Sequence, residues 1–464
     1  MLLAAHSYFS LRYGTLSLEQ MLEKAKSLGY SSFALTDINN STGILDYVRL
    51  CRKNGIQAIA GMEFRHNNEW LFTAIAKNNE GFRQINEWMT MHSLGKKKME
   101  RFNPGFSDAF VVYPFGSKDP SHLEEDEFLG VEPWQINQLG LSKYRKYQRV
   151  FTAFHRATFS NKSEWELHRH LRAIDQNTVL SRVESGQMAG QGESWLHADL
   201  LRAPYFEVPH LLKTSENILS RCGFEFDFKS VKNKQTFTGS PNDDVALLHQ
   251  LAFDGMEYRY GLRHQEAKRR IEHELELIVK LGFASYFLIT WDIIRYTLSK
   301  GIYHVGRGSG ANSIVAYCLK ITDVDPIELN LYFERFINPK RTSPPDFDID
   351  FSWKDRDMVQ DYIFEKYGTR HAALLGATVT FQGRSILREL GKVYGLPKAE
   401  LDAFVEDPGN KNLQSEITGN ILKYGRMMQD FPNIRSIHAG GILISELPLS
   451  CYTALDLPPK GYPT

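Results

Sequence analysis

The clearest helical periodicity in the first part of the chain opens at residue 17. Leu18, Met21, Leu22, Ala25 and Leu28 fall on one face. Ser17 with Gln20 three residues on reads as a capping box, and Gly29 as a C-cap, so a helix is predicted over 17–29. The apolar run Ser31–Thr36 predicts a buried strand ending at Asp37. A second helix over about 43–53, stopped by Gly55, leads into a strand Gln57–Phe64 that carries Glu63, and Trp70–Ala76 predicts another strand. Short alternation of strand and helix points to a parallel α/β sheet or barrel. Residues 95–150 mix Lys and Gly clusters with prolines and have few clear periods, so no element is assigned there. A helix is predicted over Trp165–Leu180, with His168 and His170 read as surface histidines, and Ser185–Gly192 as a loop. The polar stretch Lys232–Asp244 marks a domain boundary, followed by amphipathic helices over Asp243–Gly261 and Gln265–Leu281. Lys268, Arg269 and Arg270 on the second helix, with Glu272, Glu274 and Glu276 after them, read as a solvated face.

Two later patterns carry chemistry. Val305-Gly306-Arg307-Gly308-Ser309-Gly310 precedes a predicted apolar helix over Ile314–Lys320. Glycines let a backbone approach an anion, free N–H groups at a helix start favour phosphate, and Arg307 adds a bidentate donor. By itself such a turn reads equally as a plain loop before a tightly packed helix. Further on, Pro344-Pro345-Asp346-Phe347-Asp348-Ile349-Asp350-Phe351 alternates with a period of two. In a strand, Asp346, Asp348 and Asp350 line one face while Phe347, Ile349 and Phe351 bury the other. Neighbouring carboxylates on that face lie roughly 7 Å apart and repel by about 2 kcal/mol at an effective dielectric near 20. No Lys or Arg alternates with them, so proton or cation binding must offset the repulsion; Mg²⁺ is the natural hard cation. A solvated acidic strand edge is the plainer alternative. In the N-terminal part His6, Asp37 and Glu63 sit at strand ends, where parallel α/β folds place their sites. On spacing alone they read first as a turn histidine, a loop-capping aspartate and a solvated glutamate.

Composition narrows the class. The chain has 464 residues, room for about three domains. With 42% hydrophobic and 24% charged residues it is neither disordered nor fibrous. Lys+Arg and Asp+Glu are both 55, so any polyanion site is a local patch. Cys51, Cys222, Cys318 and Cys451 are far apart without a CxxC pair, against a zinc ribbon or disulfide scaffold. No apolar run reaches the about 18 residues of a membrane span, and the N-terminus lacks a signal-peptide pattern. A soluble cytoplasmic protein is expected.

The segments His6-Ser7-Tyr8-Phe9-Ser10-Leu11, Leu35-Thr36-Asp37 and Gly61-Met62-Glu63-Phe64 resemble the polymerase-and-histidinol-phosphatase (PHP) domain of bacterial DNA polymerase III alpha subunits. In that family histidines stand where this chain has Ala4 and Ile38, and a ligand segment where it has Thr158–Lys162. The resemblance therefore implies a degenerate PHP domain, with His6, Asp37 and Glu63 as remnants, no PHP metal and no 3′–5′ exonuclease activity. Gly306–Ser309, Ile321–Pro326, Phe333–Pro339, Pro345–Phe351 and His438–Gly441 resemble the palm of the same C-family DNA polymerases. By position, the resemblance implies that Asp346 and Asp348 are the catalytic, metal-binding pair, supported by Asp350. It implies Arg307, Gly308, Ser309 and Arg335 as nucleotide-phosphate contacts. Phe381–Pro397, with Arg384, Arg388 and Lys392 along one predicted helix, resembles the start of a duplex-gripping thumb.

The expected architecture is multidomain, α/β and α+β. A PHP-type βα barrel-like domain (1–235) precedes a nucleotidyltransferase-like palm (236–377 and 433–464) interrupted by a helical thumb (378–432). The implied function is template-directed DNA synthesis with two Mg²⁺ ions, using dNTPs and primer–template DNA. The sliding clamp and other replisome or proofreading subunits are the partners of a full-length enzyme. The family's third catalytic aspartate lies beyond Thr464, so the chain is expected to be a portion of a larger polymerase with little activity of its own. The alternatives are a non-catalytic DNA-binding or scaffold paralogue, which zero net charge permits, and a PHP phosphoesterase.

Overall fold

The computed structural model of the chain describes residues 1–341 and 345–464. Pro344, the first residue of the expected acidic strand, lies outside the described residues. Seven strands, β1 (Leu2–Ala5), β2 (Ser32–Leu35), β3 (Gln57–His66), β4 (Glu69–Ala76), β5 (Ala109–Pro114), β6 (Glu127–Val131) and β7 (Phe151–Ala157), follow chain order around a closed barrel. The helices of this part are α1 (Leu18–Ser27), α2 (Ile44–Asn54), α3 (Asn79–Ser93), α4 (Ile136–Leu141), α5 (Lys162–Asp175), α6 (Ala198–Arg202) and α7 (Pro209–Ser220). The Ser17–Gln20 capping box forms, and Gly55 ends α2 in the left-handed conformation.

The barrel is not all parallel, as alternation alone suggested: β4 runs antiparallel to both β3 and β5. No helix separates β3 from β4. The chain reverses through Asn67 and Asn68, both at positive φ (48° and 67°), which suits a tight hairpin turn. Alternate strand positions build two separate apolar layers. Ala4, Ala34, Ile59, Ile75, Phe110, Val112, Phe128 and Phe154 form one cluster. The intervening positions, such as Leu3, Phe33, Met62 and Phe72, pack with residues of α1, α2 and α3. The stretch left unassigned in sequence thus supplies two barrel strands, β5 and β6.

The next elements are α8 (Pro241–Tyr260), α9 (Gln265–Lys280), α10 (Ala284–Ser299), β8 (His304–Arg307), α11 (Ile314–Cys318), β9 (Asp348–Phe351) and α12 (Arg356–Tyr367). Their core joins Leu248, Ile271, Leu275, Phe287, Ile314 and Phe336. Then follow β10 (Ala372–Thr380), α13 (Gly383–Val393), α14 (Lys398–Glu406), α15 (Glu416–Met427) and β11 (Pro432–Ile444), with β10 and β11 paired. The chain forms two compact units. One is Met1–Phe226 with Leu375–Gly440 and Ser450–Thr464; the other is Asp227–Leu374 with Gly441–Leu449.

Within the first unit, α5, α13 and α15 share a core through Leu171, Ile386, Leu390 and Ile421. The two α5 histidines are buried there, not on the surface. His168 bonds the Tyr13 carbonyl through Nδ1 (2.7 Å) and accepts from the Ala189 amide at Nε2 (2.8 Å). His170 contacts the Tyr394 hydroxyl (2.7 Å) and stacks on Tyr424. Two residues apart on a helix, they serve different layers because neighbours pack on both sides of α5. Among the described residues no single helix is long and apolar enough to cross a membrane.

Candidate active site

In the second unit the glycine turn and the acidic strand meet. β8 and β9 pair antiparallel, with Arg307 opposite Asp348, Gly306 opposite Ile349 and Val305 opposite Asp350. The expected alternation is present: Asp346, Asp348 and Asp350 are exposed, and Phe347, Ile349 and Phe351 half-buried. Phe347 anchors the strand by stacking on Tyr286 and packing against Phe287 and Phe336, while its amide donates to the Tyr286 hydroxyl (2.8 Å). Gly308 has φ +70° and lies so close to the strand that a Cβ would stand 2.6 Å from Asp348 Oδ2. A Cβ on Gly310 would stand 2.9 Å from the Phe347 ring. Gly308 and Ser309 are exposed at the start of a single 3₁₀ turn, Gly308–Asn312.

Two expectations about this region are corrected. The acidic face is not without a local cation: Arg307 Nε donates to Asp350 Oδ2 at 2.7 Å, a diagonal cross-strand pair that sequence separation hid. Nor is the following helix start free for a ligand. α11 has only five residues, and its first N–H groups are taken by the chain's own carboxylate. Glu274 on α9 accepts from the Ile314 amide (3.0 Å), the Val315 amide (3.1 Å) and the Ser313 hydroxyl (2.7 Å). Glu274 is buried, not part of a solvated face. Burial pushes its pKa up to about 7 despite those hydrogen bonds.

The other family-like segments of this unit divide between scaffold and surface. Asp325 accepts from the Tyr260 hydroxyl (2.6 Å) and the Ile327 amide (2.8 Å). Asp323 pairs with Arg259 (2.8 Å), while Phe333 and Phe336 are core. Arg335 is exposed. Asp346 and Asp348 have no ion pair among the described residues, whereas Asp350 has Arg307. No group of three or more His, Cys, Asp or Glu side chains is arranged to hold a metal among the described residues. The donor chemistry at 346 and 348, two exposed carboxylates beside a glycine turn, nevertheless fits a hard divalent cation that a substrate phosphate helps to coordinate.

In the barrel unit, His6 and Glu63 come together and Asp37 is used elsewhere. His6 Nε2 lies 3.1 Å from Glu63 Oε2, and His6 Nδ1 lies 2.9 Å from Thr158 Oγ1. Asp37 accepts from the Ser7 amide (2.7 Å), the Ser7 hydroxyl (2.7 Å) and the Ser10 hydroxyl (2.6 Å). Burial raises its pKa to about 6, against those hydrogen bonds. Asp37 thus holds the Ser7–Ser10 turn, and neither Glu63 nor His6 is solvated.

Sequence reasoning missed the residues that complete this cluster. Arg65 Nε bonds Glu63 Oε1 at 2.5 Å. Arg156 reaches Glu132 and Glu193, both at 3.3 Å. Burial opposes ionisation of Glu63, but Arg65 and His6 hold its carboxyl well below the usual range. Glu193 is lowered against burial chiefly by Arg156, and burial lifts Glu132 to about 7. The signal was the strand period: His6, Arg65, Glu132 and Arg156 continue the rows of Ala4, Ile59, Phe128 and Phe154. Two guanidinium groups therefore neutralise carboxylates at the end of the barrel. On α13, Arg384, Arg388 and Lys392 are exposed along one face, with Arg388 paired to Asp402 and Lys392 to Glu389.

Comparison with known proteins agrees with this architecture. Residues 246–461 match the family described as bacterial DNA polymerase III alpha NTPase domain, and residues 3–112 match the PHP domain. The error-prone DNA polymerase of Symbiobacterium thermophilum is 30% identical, over 99% of this chain and 48% of its own length. The DNA polymerase III subunit alpha of Bacillus subtilis is 28% identical, over 97% of this chain and 45% of its own. That of Streptococcus pyogenes serotype M1 is also 28% identical, over 94% and 43%. The chain spans about half the length of the curated relatives it matches. The fold and these matches define a chain that joins a PHP domain to a bacterial DNA polymerase III alpha NTPase domain. More narrowly, over nearly its whole length it is similar to the N-terminal part of bacterial DNA polymerase III alpha subunits and of an error-prone DNA polymerase.

Proposed function

We propose that this chain carries part of the catalytic centre for template-directed DNA synthesis, with Asp346 and Asp348 as the metal-binding catalytic pair and Asp350 in support. The observation behind this reading is the β8–β9 pairing, which sets the Gly308 turn directly against Asp348. In the reaction the primer 3′-hydroxyl attacks the α-phosphorus of a dNTP and pyrophosphate leaves. Two bound Mg²⁺ ions would supply charge neutralisation at the attacking and leaving oxygens, held by Asp346 and Asp348. Gly308 and Ser309 give the triphosphate close access to backbone, because neither side chain nor burial blocks the turn. Exposed Arg335 offers a guanidinium to the same phosphates. Arg307 braces Asp350 and so steadies the strand, and its remaining N–H groups would serve the substrate phosphates.

The barrel serves this enzyme as a scaffold without PHP metal chemistry, its charge balance being met by Arg65 and Arg156. The α13–α15 segment acts as the thumb, with Arg384, Arg388 and Lys392 on the DNA backbone; their surface ion pairs are weak enough to exchange for phosphates. The reading implies a cytoplasmic enzyme working on primer–template DNA with a sliding clamp and other replisome subunits. Calorimetric titration of a dNTP with Mg²⁺ tests it. Binding that needs Mg²⁺ and disappears in Asp346→Asn/Asp348→Asn supports the assignment. Equal binding by that variant, or binding indifferent to Mg²⁺, refutes it.

A further inference from the structure

The connection from α4 into β7 is strongly basic. No Asp or Glu stands between Glu132 and Glu164, whereas Lys143, Arg145, Lys146 and Arg149 crowd together. In a chain whose charges balance overall, this is a local positive patch. Two successive 3₁₀ turns, Lys143–Lys146 and Gln148–Val150, shape it. Ser142 starts the first, its hydroxyl accepting from the Tyr144 amide (3.2 Å). Such turns bring residues three apart into line. Tyr144, Tyr147 and Val150 pack against the barrel core. Lys143, Lys146 and Arg149 are all exposed and form a row that repeats at roughly 6 Å. Lys143 Nζ lies 5.0 Å from the centre of the Tyr144 ring and Lys146 Nζ 5.1 Å from that of Tyr147, so both ammonium groups are held close to the wall.

The neighbouring cations Lys118 and Arg156 are paired, to Glu127 and Glu132. Lys143, Lys146 and Arg149 have no ion pair among the described residues. Asp119, the carboxylate that feels Lys143, is spent on the Ser121 amide (3.0 Å), the Ser121 hydroxyl (2.6 Å) and the Tyr144 hydroxyl (3.5 Å). A basic row alone suits any polyanion, and Phe102 narrows the class. It is 44% exposed, is fixed edge-on to Tyr113 (5.9 Å), and lies 5.3 Å from the Nζ of Lys118, the residue before Asp119. An exposed aromatic ring thus stands beside the row. Unpaired bases stack on such rings while cations track the phosphates. A duplex hides its base faces, and an acidic peptide has none.

We propose that this face of the barrel unit binds single-stranded nucleic acid, with phosphates along Lys143, Lys146 and Arg149 and a base on Phe102. The segment enters β7 at its N-terminal end. β1 runs parallel to β7 and His6 follows the C-terminal end of β1, so the surface lies at the opposite end of these strands from the buried charge cluster. It is contained in the first unit, and it does not rest on the reading of the acidic strand in the second.

The test uses the full chain in EDTA, with Arg384→Gln/Arg388→Gln/Lys392→Gln as background so that the α13 cations do not contribute. A fluorescein-labelled oligothymidylate of about 16 nucleotides is titrated by anisotropy between about 50 and 200 mM salt. Saturable binding is expected. Lys143→Gln/Lys146→Gln/Arg149→Gln, all on exposed side chains, should weaken it about tenfold and take about 2 from the slope of log K against log salt, as three lost phosphate contacts require. Phe102→Ala should weaken it about fivefold with the slope unchanged. Photo-crosslinking of an iodouracil oligonucleotide to the chain with its row and Phe102 intact, read by mass spectrometry, should label the peptide that holds Phe102. Affinity unchanged by the row substitution or by Phe102→Ala overturns the proposal, as does crosslinking that misses that peptide. Equal affinity for a duplex of the same length overturns the single-strand assignment. Displacement by polyglutamate as effective as by unlabelled oligothymidylate gives the surface to an acidic polypeptide and overturns it too.

Discussion

Glu274 accepts three hydrogen bonds at the start of α11 from a buried position on α9. Glu274→Ala would leave the Ile314 and Val315 amides and the Ser313 hydroxyl without that acceptor, at a cost of about 3 kcal/mol in urea unfolding. Its titration has a definite sign. The folded pKa of about 7 stands above the ordinary 4.5, so the native chain binds more protons between those values. This group's contribution therefore makes stability fall as pH rises from about 4.5 to about 7 and then level off; Glu274→Gln should remove that slope. The position was legible in principle, since Ile271, Glu274, Leu275 and Ile278 share one helical face. The run of charges around it drew attention to solvent instead, and Glu272 and Glu276 are indeed exposed. Gly308 makes a second residue-scale case. Gly308→Ala would meet both a positive φ and the Asp348 carboxylate, destabilising by about 1 kcal/mol. It should weaken Mg²⁺-dependent dNTP binding about tenfold by calorimetry, with an unchanged circular dichroism spectrum.

Elements were readable where an alternation, or an apolar run close to a clear helical period, marks them. The acidic strand alternates because Phe347, Ile349 and Phe351 have a core to meet while the aspartates face out. β5 and β6 are runs of only six and five residues inside the Lys-, Gly- and Pro-containing stretch 95–150, with no clear helical period beside them, whereas the equally buried β2, β3 and β4 follow legible helices or one another closely. The direction of β4 was set by the Asn67–Asn68 turn rather than by the strands themselves. Packing between helices shows a constraint of the same scale. α8 approaches α11 so closely that a Cβ on Gly255 would stand 2.2 Å from the Cys318 carbonyl oxygen. Backbone cannot yield as a flexible side chain does, so Gly255→Ala should destabilise the second unit by about 2 kcal/mol despite the better helix propensity of alanine. Hydrogen exchange should report it as faster opening of α8 and α11, with the barrel amides unaffected.

Across the barrel as a whole, one electrostatic arrangement ties four strands and a loop together. His6 on the end of β1, Glu63 and Arg65 on β3, Glu132 after β6, Arg156 on β7 and Glu193 form a buried set of opposite charges. Removing one partner of such a set leaves the others uncompensated in a poorly solvated place. Arg156→Leu should therefore cost about 3–5 kcal/mol at pH 7.5, where Glu193 is ionised and Glu132, with a pKa of about 7, largely so. Acidification protonates the stranded carboxylates, so the deficit should shrink toward pH 5. The wild-type chain behaves oppositely at lower pH. Glu63 and Glu193 have folded pKa values depressed below 4.5, so their stabilisation is present above that value and lost as pH falls through the lower range. A gap between the two chains that narrows from pH 8 to pH 5, measured by urea unfolding of the full chain, would show that arginines hold these carboxylates. Pairing Arg156→Leu with Glu193→Gln should recover part of the loss, because it removes an uncompensated charge along with its partner. Parallel slopes, or no recovery in the double variant, would mean that the barrel draws its stability from its two apolar layers and that these charges are incidental to it.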